Sequence, residues 1–516
     1  MSNYFKYSHQ LFFLSVILFL SLPLLAQKND TEKVFLQHAD ILKKVPYQPN
    51  VRKLIKNVIV THKGTTIYCD SAYLYEDKNA VDTFGKTRVI GENGAVLTAK
   101  NTYYDGNSQT AKARGEVVLV DDKMRLETEI LDYQIQTGIA NYVNGGKLAD
   151  TEKTLTSQQG TYDTNSKIFY FTKDVVLIAK KEQQQINTEN LTYHTITKMT
   201  YFKGDTKITS KDGVVNTKLG NYNTETQVSE LQGRSKIDNP EYTLEGDSLY
   251  SDNKLGIGYG FGNVDIYSKK DSMFAQGDFA WVRRNENESK IYGDVIAYQI
   301  SQKDTLWIKA DTLYVINQKG KDAKRMLLAY QNTRIYRKDF QAKCDSLAYN
   351  RADSVMRMFR DPVLWGKKNQ ITADSINIFL DKNEPLKAEF NHEAFMLSED
   401  TLKNYNQLKG KRMTAFFKKR EIRTVEVRGN AQNIFFLLKE KENKLLGMNR
   451  VDCSDMNVHF NPQNQIKKVA YLNKPEGSLT PKHELQEPQK KIKNFKWRTD
   501  EIPKREEFIR RYKIPK

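Results

Sequence analysis

One feature constrains this chain of 516 residues more than any other, a short motif that returns about every 30 residues. Clear copies are Ile67–Tyr73, Leu244–Tyr250 and Ile308–Tyr314, each with an acid between a small residue and a small polar one. The motif centres, including the weaker copies, are Asp70, Asn101, Glu129, Gln159, Asn190, Leu219, Asp247, Asp278, Asp311, Asp345 and Asp374. Such even spacing predicts a repeat-built fold whose units stack on one another.

Within each repeat the apolar residues alternate with a period of two rather than 3.6. Gly115–Leu119, Gly262–Ile266 and Gly293–Ala297 all read Gly-x-apolar-x-apolar, and Val, Ile, Thr and Tyr dominate. This pattern predicts an all-β protein with two or more short strands per repeat. Helical patterns are confined to short stretches near residues 33–44 and in the tail.

The acid of the motif sits at a phase change. Ile308 and Ala310 share one strand face, whereas Leu313 falls on the opposite parity. Strict alternation along a strand means that Asp311 marks a bulge or a corner. A spacing of about 30 residues puts one such carboxylate on each rung, so we interpret the series as structural rather than catalytic or calcium-binding.

Composition excludes several classes of protein. Hydrophobic residues make up 39% of the chain, which is too many for a disordered chain, and 12 prolines are too few for a collagen-like or mucin-like stalk. Three cysteines cannot form a disulfide-rich scaffold, and the seven histidines form no closely spaced ligand pair. We therefore predict no enzyme activity, no cofactor and no metal site. An exported β-repeat scaffold and a β-helix enzyme acting on polysaccharide through surface acids remain alternatives.

The N-terminus predicts export. Lys6 precedes the apolar run Leu11–Leu25, which Pro23 interrupts near its end and which Ala26 follows as a small residue for cleavage. About 15 apolar residues are too few for a mature membrane span, so residues 1–26 read as a cleaved signal peptide, with an uncleaved anchor as the alternative. Export makes nucleic acid a poor partner and the periplasm the expected location.

Positive charge concentrates at the C-terminal end. The chain carries +18, and residues 404–516 carry +14 of it. Bases flank Phe416 and Phe417, an arrangement that suits an amphiphile with phosphates or an anionic membrane surface. The alternative is a solvated basic strand edge that prevents aggregation. The predicted anionic-ligand or membrane contacts are Lys409, Lys411, Arg412, Lys418, Lys419, Arg420, Lys496 and Arg498.

Residues 50–400 resemble the OstA-like family, which includes the LptA bridge of lipopolysaccharide transport. The resemblance rests on the export signal and on the ordered repeats with Ala-Asp-x-Leu-x-Tyr and Gly-x-Val-x-Ile motifs. It implies a twisted, open β-jellyroll, often called a β-taco, built as two consecutive jellyroll segments or one long array. It further implies a periplasmic bridge, associated with the outer membrane, whose apolar groove holds the acyl chains of lipopolysaccharide or a similar anionic lipid. End strands would pair edge to edge with other OstA-like jellyrolls. The chain departs from small family members in its length and its basic C-terminal extension.

Carried onto this chain, the resemblance assigns groove positions and segments. The candidate groove residues are Val117, Leu119, Val175, Leu177, Val264, Ile266, Val295, Ala297, Ile67, Ile308 and Ile371, with ordinary core as the alternative. The predicted segments are a signal peptide (1–26), an N-terminal lead-in (27–50), a first jellyroll (51–185), a second repeat segment (186–403), basic degenerate repeats (404–473) and a basic Pro-containing tail (474–516).

Overall fold

A computed structural model describes residues 32–509 except 182, 270–271, 301–303, 319, 321–324, 383, 440–443 and 463–465. The predicted signal peptide, residues 1–26, lies outside the described residues. The strands of the first half are β1 (Phe35–His38), β2 (Ile41–Val45), β3 (Gln48–His62), β4 (Thr65–Tyr75), β5 (Ala80–Ile90), β6 (Val96–Asp105), β7 (Thr110–Asp121), β8 (Met124–Gln134), β9 (Ile139–Tyr142), β10 (Gly146–Ala149), β11 (Lys153–Ser157), β12 (Gln159–Asp163), β13 (Ile168–Ala179), β14 (Gln184–His194), β15 (Met199–Ser210), β16 (Gly213–Asn223) and β17 (Val228–Asp238).

The second half of the chain continues in the same way. Its strands are β18 (Tyr242–Asp252), β19 (Ile257–Ser268), β20 (Met273–Arg283), β21 (Glu288–Ile300), β22 (Thr305–Asn317), β23 (Arg325–Arg337), β24 (Phe340–Asn350), β25 (Val355–Phe359), β26 (Val363–Gly366), β27 (Asn369–Thr372), β28 (Ser375–Asp381), β29 (Glu384–Glu399), β30 (Tyr405–Lys418), β31 (Glu421–Lys439), β32 (Lys444–Phe460), β33 (Ile466–Leu472) and β34 (Glu476–Pro481). Four short 3₁₀ helices follow at Lys482–Glu484, Glu487–Lys490, Thr499–Glu501 and Arg505–Phe508.

The 34 strands form one antiparallel sheet that is folded lengthwise. The pairing register of most long strands shifts near the middle, for example between Tyr68 and Ser71. Each such strand therefore contributes to two walls that meet at a corner. Wall A begins with residues 58–62 paired to 65–69 and ends with residues 444–453 and 476–481. Wall B begins with residues 51–55 paired to 71–75 and ends with residues 455–460 paired to 466–472. This is the predicted all-β, twisted open jellyroll, and the fold class is confirmed.

Two neighbouring strands contribute different features to each corner. The motif acid stands on one strand, and a bulge with positive φ stands opposite it on the next, as at Gly85 (φ 72°) facing Asp70. A Cβ at Gly85 would lie 2.5 Å from the Asp70 carboxylate, so this bulge needs glycine. At a later corner, between β18 and β19, the Asn263 amide donates to the Asp247 carboxylate at 2.7 Å. The register shifts confirm that the motif acids mark corners.

A continuous hydrophobic cluster fills the angle between the walls from Val34 to Val458. It passes without interruption through the β13–β14 pair, which spans residue 185. The division into two jellyrolls at that residue stays a prediction. The helical patterns near residues 33–44 were misleading, because β1 and β2 pair with the two halves of β3 at the edge of the sheet. Edge pairing to a long strand outweighs a weak local helical preference.

The tail does not extend away from the sheet. Residues 482–509, here the C-terminal strap, turn back and cross the outer face of wall A from β32 towards β22. Gln407 accepts a hydrogen bond from the Ile492 N–H at 2.8 Å, and Gln370 accepts one from the Arg498 N–H at 2.7 Å. A small second core, which includes Ile492 and Phe436, forms beneath the strap. Side-chain amides on the sheet thus substitute for strand pairing along the strap.

Candidate functional site

Two stretches of the folded sheet differ in what lies between their walls. In residues 58–224, here the filled section, large aromatic side chains occupy the interior. Tyr162 stacks on Phe169 with ring centroids 3.8 Å apart, and Phe169 stacks on Phe171 at 5.5 Å. All three are fully buried. Buried, stacked aromatic rings therefore form the core between the walls of this section.

In residues 273–422, here the open section, the walls enclose a cavity of about 800 Å³. Its volume lies within the range of small-molecule pockets, roughly 300–1,000 Å³. The interior is lined mainly by aliphatic, methionine and aromatic side chains, among them Met326, Leu327, Leu347, Met356, Leu364, Ile378, Leu380, Phe390 and Phe417. Several of these side chains are only half-buried, which is unusual for residues that point inward.

Charged groups surround the apolar interior of the cavity. Lys367 lies 3.2 Å from Glu421, and Arg420 lies 3.5 Å from Glu384. The hydrogen bond from Lys367 holds the pKa of the Glu421 carboxyl below its usual range, so the carboxyl is ionised at neutral pH. An apolar interior with charged rims on both walls suits an amphiphile with a polar, charged end.

The structure places all the candidate groove residues on the inner side of the sheet. Ala297, Ile308 and Ile371 line the cavity. Ile266 is partly buried and packs against the core, and the remaining members are buried in the same continuous core. Those in the filled section are Ile67, Val117, Leu119, Val175 and Leu177, and Val264 and Val295 complete the set. Their contact with a ligand stays a prediction.

The candidate basic residues do not form one surface. Lys419 and Arg420 line the cavity, while Lys411, Arg412, Lys418 and Lys496 are exposed and Lys409 pairs with Glu393 at 3.0 Å.

Arg498 differs most from the expectation of a surface contact. Its side chain is 8% exposed and donates two hydrogen bonds of 2.7 Å to Asp361, besides pairing with Glu501 at 2.6 Å. The two carboxylates hold the Arg498 guanidinium in a buried position, and the contact with Asp361 fastens the strap to wall A. In this conformation the guanidinium does not face an outside anion.

Sequence reasoning missed the side chains that join the two walls. The free ends of the walls face each other along a line, here the mouth, and polar pairs span it in the filled section. His62 and Tyr104 form one such pair, with Nδ1 and the hydroxyl 2.8 Å apart. The signal was present in the sequence as a second periodic series, Tyr104, Tyr133, Tyr162, Tyr193 and Tyr222. It was hidden because tyrosine is common in strands.

Among the described residues, no helix is long and apolar enough to span a membrane. No group of three or more His, Cys, Asp or Glu side chains in the same part of the chain is arranged to hold a metal ion.

Comparison with protein families agrees with this architecture. Residues 31–184 and 178–247 match the family described as OstA-like protein. Residues 276–384 match the family described as LptA/(LptD N-terminal domain) LPS transport protein. Residues 31–247 are thus similar to OstA-like proteins, and residues 276–384 are similar to the LptA-type transport family. The filled section lies within the first match, and most of the open section lies within the second. The second description names transport, and neither description names an enzyme activity.

One solved structure that is similar to this chain is LptH, the LptA homologous periplasmic component of the conserved lipopolysaccharide transport device from Pseudomonas aeruginosa. The two are 14% identical, and the alignment covers 23% of this chain and 82% of LptH with a TM-score of 0.20. No curated protein matches the chain.

Proposed function

We propose that this protein is an exported lipid-binding member of a lipopolysaccharide transport bridge, located in the periplasm and associated with the outer membrane. The observation that carries the proposal is the apolar cavity of about 800 Å³ between the walls of the open section. Transfer of an acyl chain from water into this cavity would stabilise the complex by about 0.8 kcal/mol for each buried CH₂ group. The description of the family that matches residues 276–384 names lipopolysaccharide transport, which supports this role. No covalent step is needed.

The charged rim supports an amphiphile with phosphate groups rather than an uncharged lipid. Arg337, Lys367, Lys419 and Arg420 border the cavity. Guanidinium and ammonium groups form charge-assisted hydrogen bonds with phosphate. Lys367 pairs with Glu421 and Arg420 pairs with Glu384, so a bound phosphate would have to displace these carboxylates or share the cations with them. Lipopolysaccharide, or a lipid with similar anionic groups, meets both requirements.

The two ends of the sheet support assembly with other OstA-like jellyrolls. At one end β1 and β2 pair only with β3 among the described residues and expose apolar side chains, with Phe35 66% exposed. At the other end β33 and β34 both pair with β32 and form the final edge. Unpaired edges accept a further strand through backbone hydrogen bonds. We include edge-to-edge pairing with partner jellyrolls in the proposal.

Site-specific photo-crosslinking tests the lipid site. A crosslinking side chain at Ile371, on the cavity wall, should capture lipid in cells, whereas one at its outward neighbour Gln370 should not. Protein purified without detergent should carry the same lipid when its extract is examined by mass spectrometry. Capture from Gln370 alone, or a purified protein without lipid, would falsify the proposed site.

A further inference from the structure

The way the mouth is closed differs along the sheet, and this difference bears on how a lipid could reach the cavity. In the filled section a tyrosine hydroxyl from wall B meets a polar group from wall A. Besides the His62–Tyr104 pair, the Asn93 amide donates to the Tyr133 hydroxyl at 3.1 Å and to Thr164 at 3.2 Å. Burial raises the pKa of Tyr104 to about 12, so its hydroxyl keeps its proton at neutral pH.

The next two pairs include charged side chains. The Tyr162 hydroxyl donates to Asp121 at 2.5 Å, and the Lys167 ammonium lies 2.5 Å from the same carboxylate oxygen. One rung further, the Lys153 ammonium donates to Thr224 at 2.5 Å. We call these four connections, at Tyr104, Tyr133, Tyr162 and Lys153, the latches. Together they close the mouth of the filled section over an interior that is already packed with aromatic side chains.

The tyrosine series is interrupted where the open section approaches and resumes within it at Tyr349, which lines the cavity. The positions that continue it, two residues after the buried Leu249, Ala280 and Leu313 on wall B, hold Ser251, Val282 and Val315. Because side chains on a strand alternate, these residues point inward like the tyrosines. Valine has no hydroxyl to reach across the mouth. Val315 borders the cavity instead.

The Lys367–Glu421 ion pair joins the walls across the mouth of the open section. Lys367 lies in the turn between β26 and β27 at the free end of wall A, and Glu421 begins β31 at the free end of wall B. Their 3.2 Å contact is solvent-exposed, with the two side chains 57% and 30% exposed. Exposed ion pairs contribute little to stability and open readily.

We propose that lipid enters and leaves sideways through the mouth of the open section, past the Lys367–Glu421 pair, and does not travel through the filled section. This inference rests on the proposed lipid-binding function. Buried aromatic rings occupy the interior of the filled section and latches join its walls, whereas the open section has a cavity and an exposed ion pair at its mouth. Lys367 and Glu421 act as a gate that reforms once the acyl chains are inside.

The gate is tested by reversing one charge. The full-length protein is loaded with fluorescently labelled lipopolysaccharide, and its release to unlabelled acceptor protein is followed with time. Lys367→Glu places two carboxylates together and should speed release about five-fold, because repulsion replaces an exposed ion pair. Lys368→Glu makes the same charge change at the neighbouring exposed residue and should leave the rate unchanged. The double variant Lys367→Glu with Glu421→Lys should restore the original rate.

The latches provide the opposing test. Tyr104→Phe combined with Tyr133→Phe removes two hydroxyls and keeps both rings, and the release rate should not change. Faster release from this variant, or an unchanged rate for Lys367→Glu, overturns the sideways route.

Crosslinkers separate the route from the function on which it rests. A crosslinker at Val117 should capture no lipid while one at Ile371 does. Capture at both positions overturns the route, and capture at neither overturns lipid binding itself.

Discussion

The filled and open sections share their antiparallel strand pairing and their corners, and the walls of the open section enclose a cavity of about 800 Å³. In the filled section Tyr162, Phe169 and Phe171 occupy the interior. At corresponding inward positions the open section has smaller or more flexible side chains such as Val315 and Leu327. The backbone of this fold therefore leaves open whether the angle between the walls is a core or a groove. Side-chain volume decides it.

The outer face differs between the sections as well. The strap lies against wall A of the open section, with Arg505 over the Trp307 ring at 3.8 Å and Phe508 beside Tyr336 at 5.8 Å. A single-layered wall next to a cavity lacks packing on its inner side. Contacts with the strap on the outer side supply burial that the filled section obtains from its interior.

Truncation of an interior side chain should lower the free energy of unfolding much more in the filled section than in the open section. Phe169→Ala removes a stacked, fully buried ring and should lower the free energy of unfolding by about 3–5 kcal/mol. Leu364→Ala, on the cavity wall, should cost only about 1 kcal/mol, because that side chain already borders empty space. Urea denaturation followed by circular dichroism measures both. Equal losses would show that the open section is packed like the filled one.

Removal of the strap's buried charge should weaken only the open section. Arg498→Met removes the guanidinium that pairs with Asp361 and Glu501, leaves Glu501 paired with Lys343, and should cost about 1–3 kcal/mol of strap docking. Limited proteolysis should then cut within residues 482–509, while amide hydrogen exchange in the filled section stays unchanged. Lys493→Met, at an exposed strap position, is the matched control. Faster exchange in both sections would mean that the strap stabilises the whole sheet.

Loss of a single latch should have a modest, local effect. Tyr133→Phe removes the hydroxyl that accepts from Asn93 and should cost about 1 kcal/mol, seen as faster hydrogen exchange in the neighbouring turn. Tyr170→Phe, on an exposed position of the same section, should change nothing. If the two variants behave alike, the hydroxyl at Tyr133 does not hold the mouth closed.

Acid should produce the smallest of these effects, and at the strap it should act through Glu501. The hydrogen bond from Arg498 holds the pKa of Glu501 down to about 2, below the value of about 4.3 expected in the undocked chain. Its contribution to docking is therefore present above about pH 4.3 and lost as the pH falls towards 2. Fluorescence of Trp497 during an acid titration should report a partial release. Glu501→Gln should abolish that dependence, and an unchanged titration curve would assign the transition to other groups.

The sequence predicted the features that depend on local pattern. Alternation around Gly115–Leu119 predicted strands, and the phase change at Asp311 predicted a corner, because both follow from the geometry of neighbouring residues. The inward orientation of Ile308 and Ile371 followed in the same way. The strap was beyond such reasoning, because Arg498 meets Asp361 from 137 residues away. A cluster of bases in the sequence gives no indication of which acids neutralise it in the fold.

The all-β repeat with a corner on each rung was predictable from local sequence pattern, because strand periodicity and the motif acids act over a few residues. The positions of the filled interior, of the latches and of the cavity became visible only in the folded chain. Those outcomes depend on the summed volume of side chains from many rungs and on polar pairs across the mouth, such as His62 with Tyr104 and Lys367 with Glu421. Packing and cross-wall contacts of this kind connect residues that the chain itself keeps far apart.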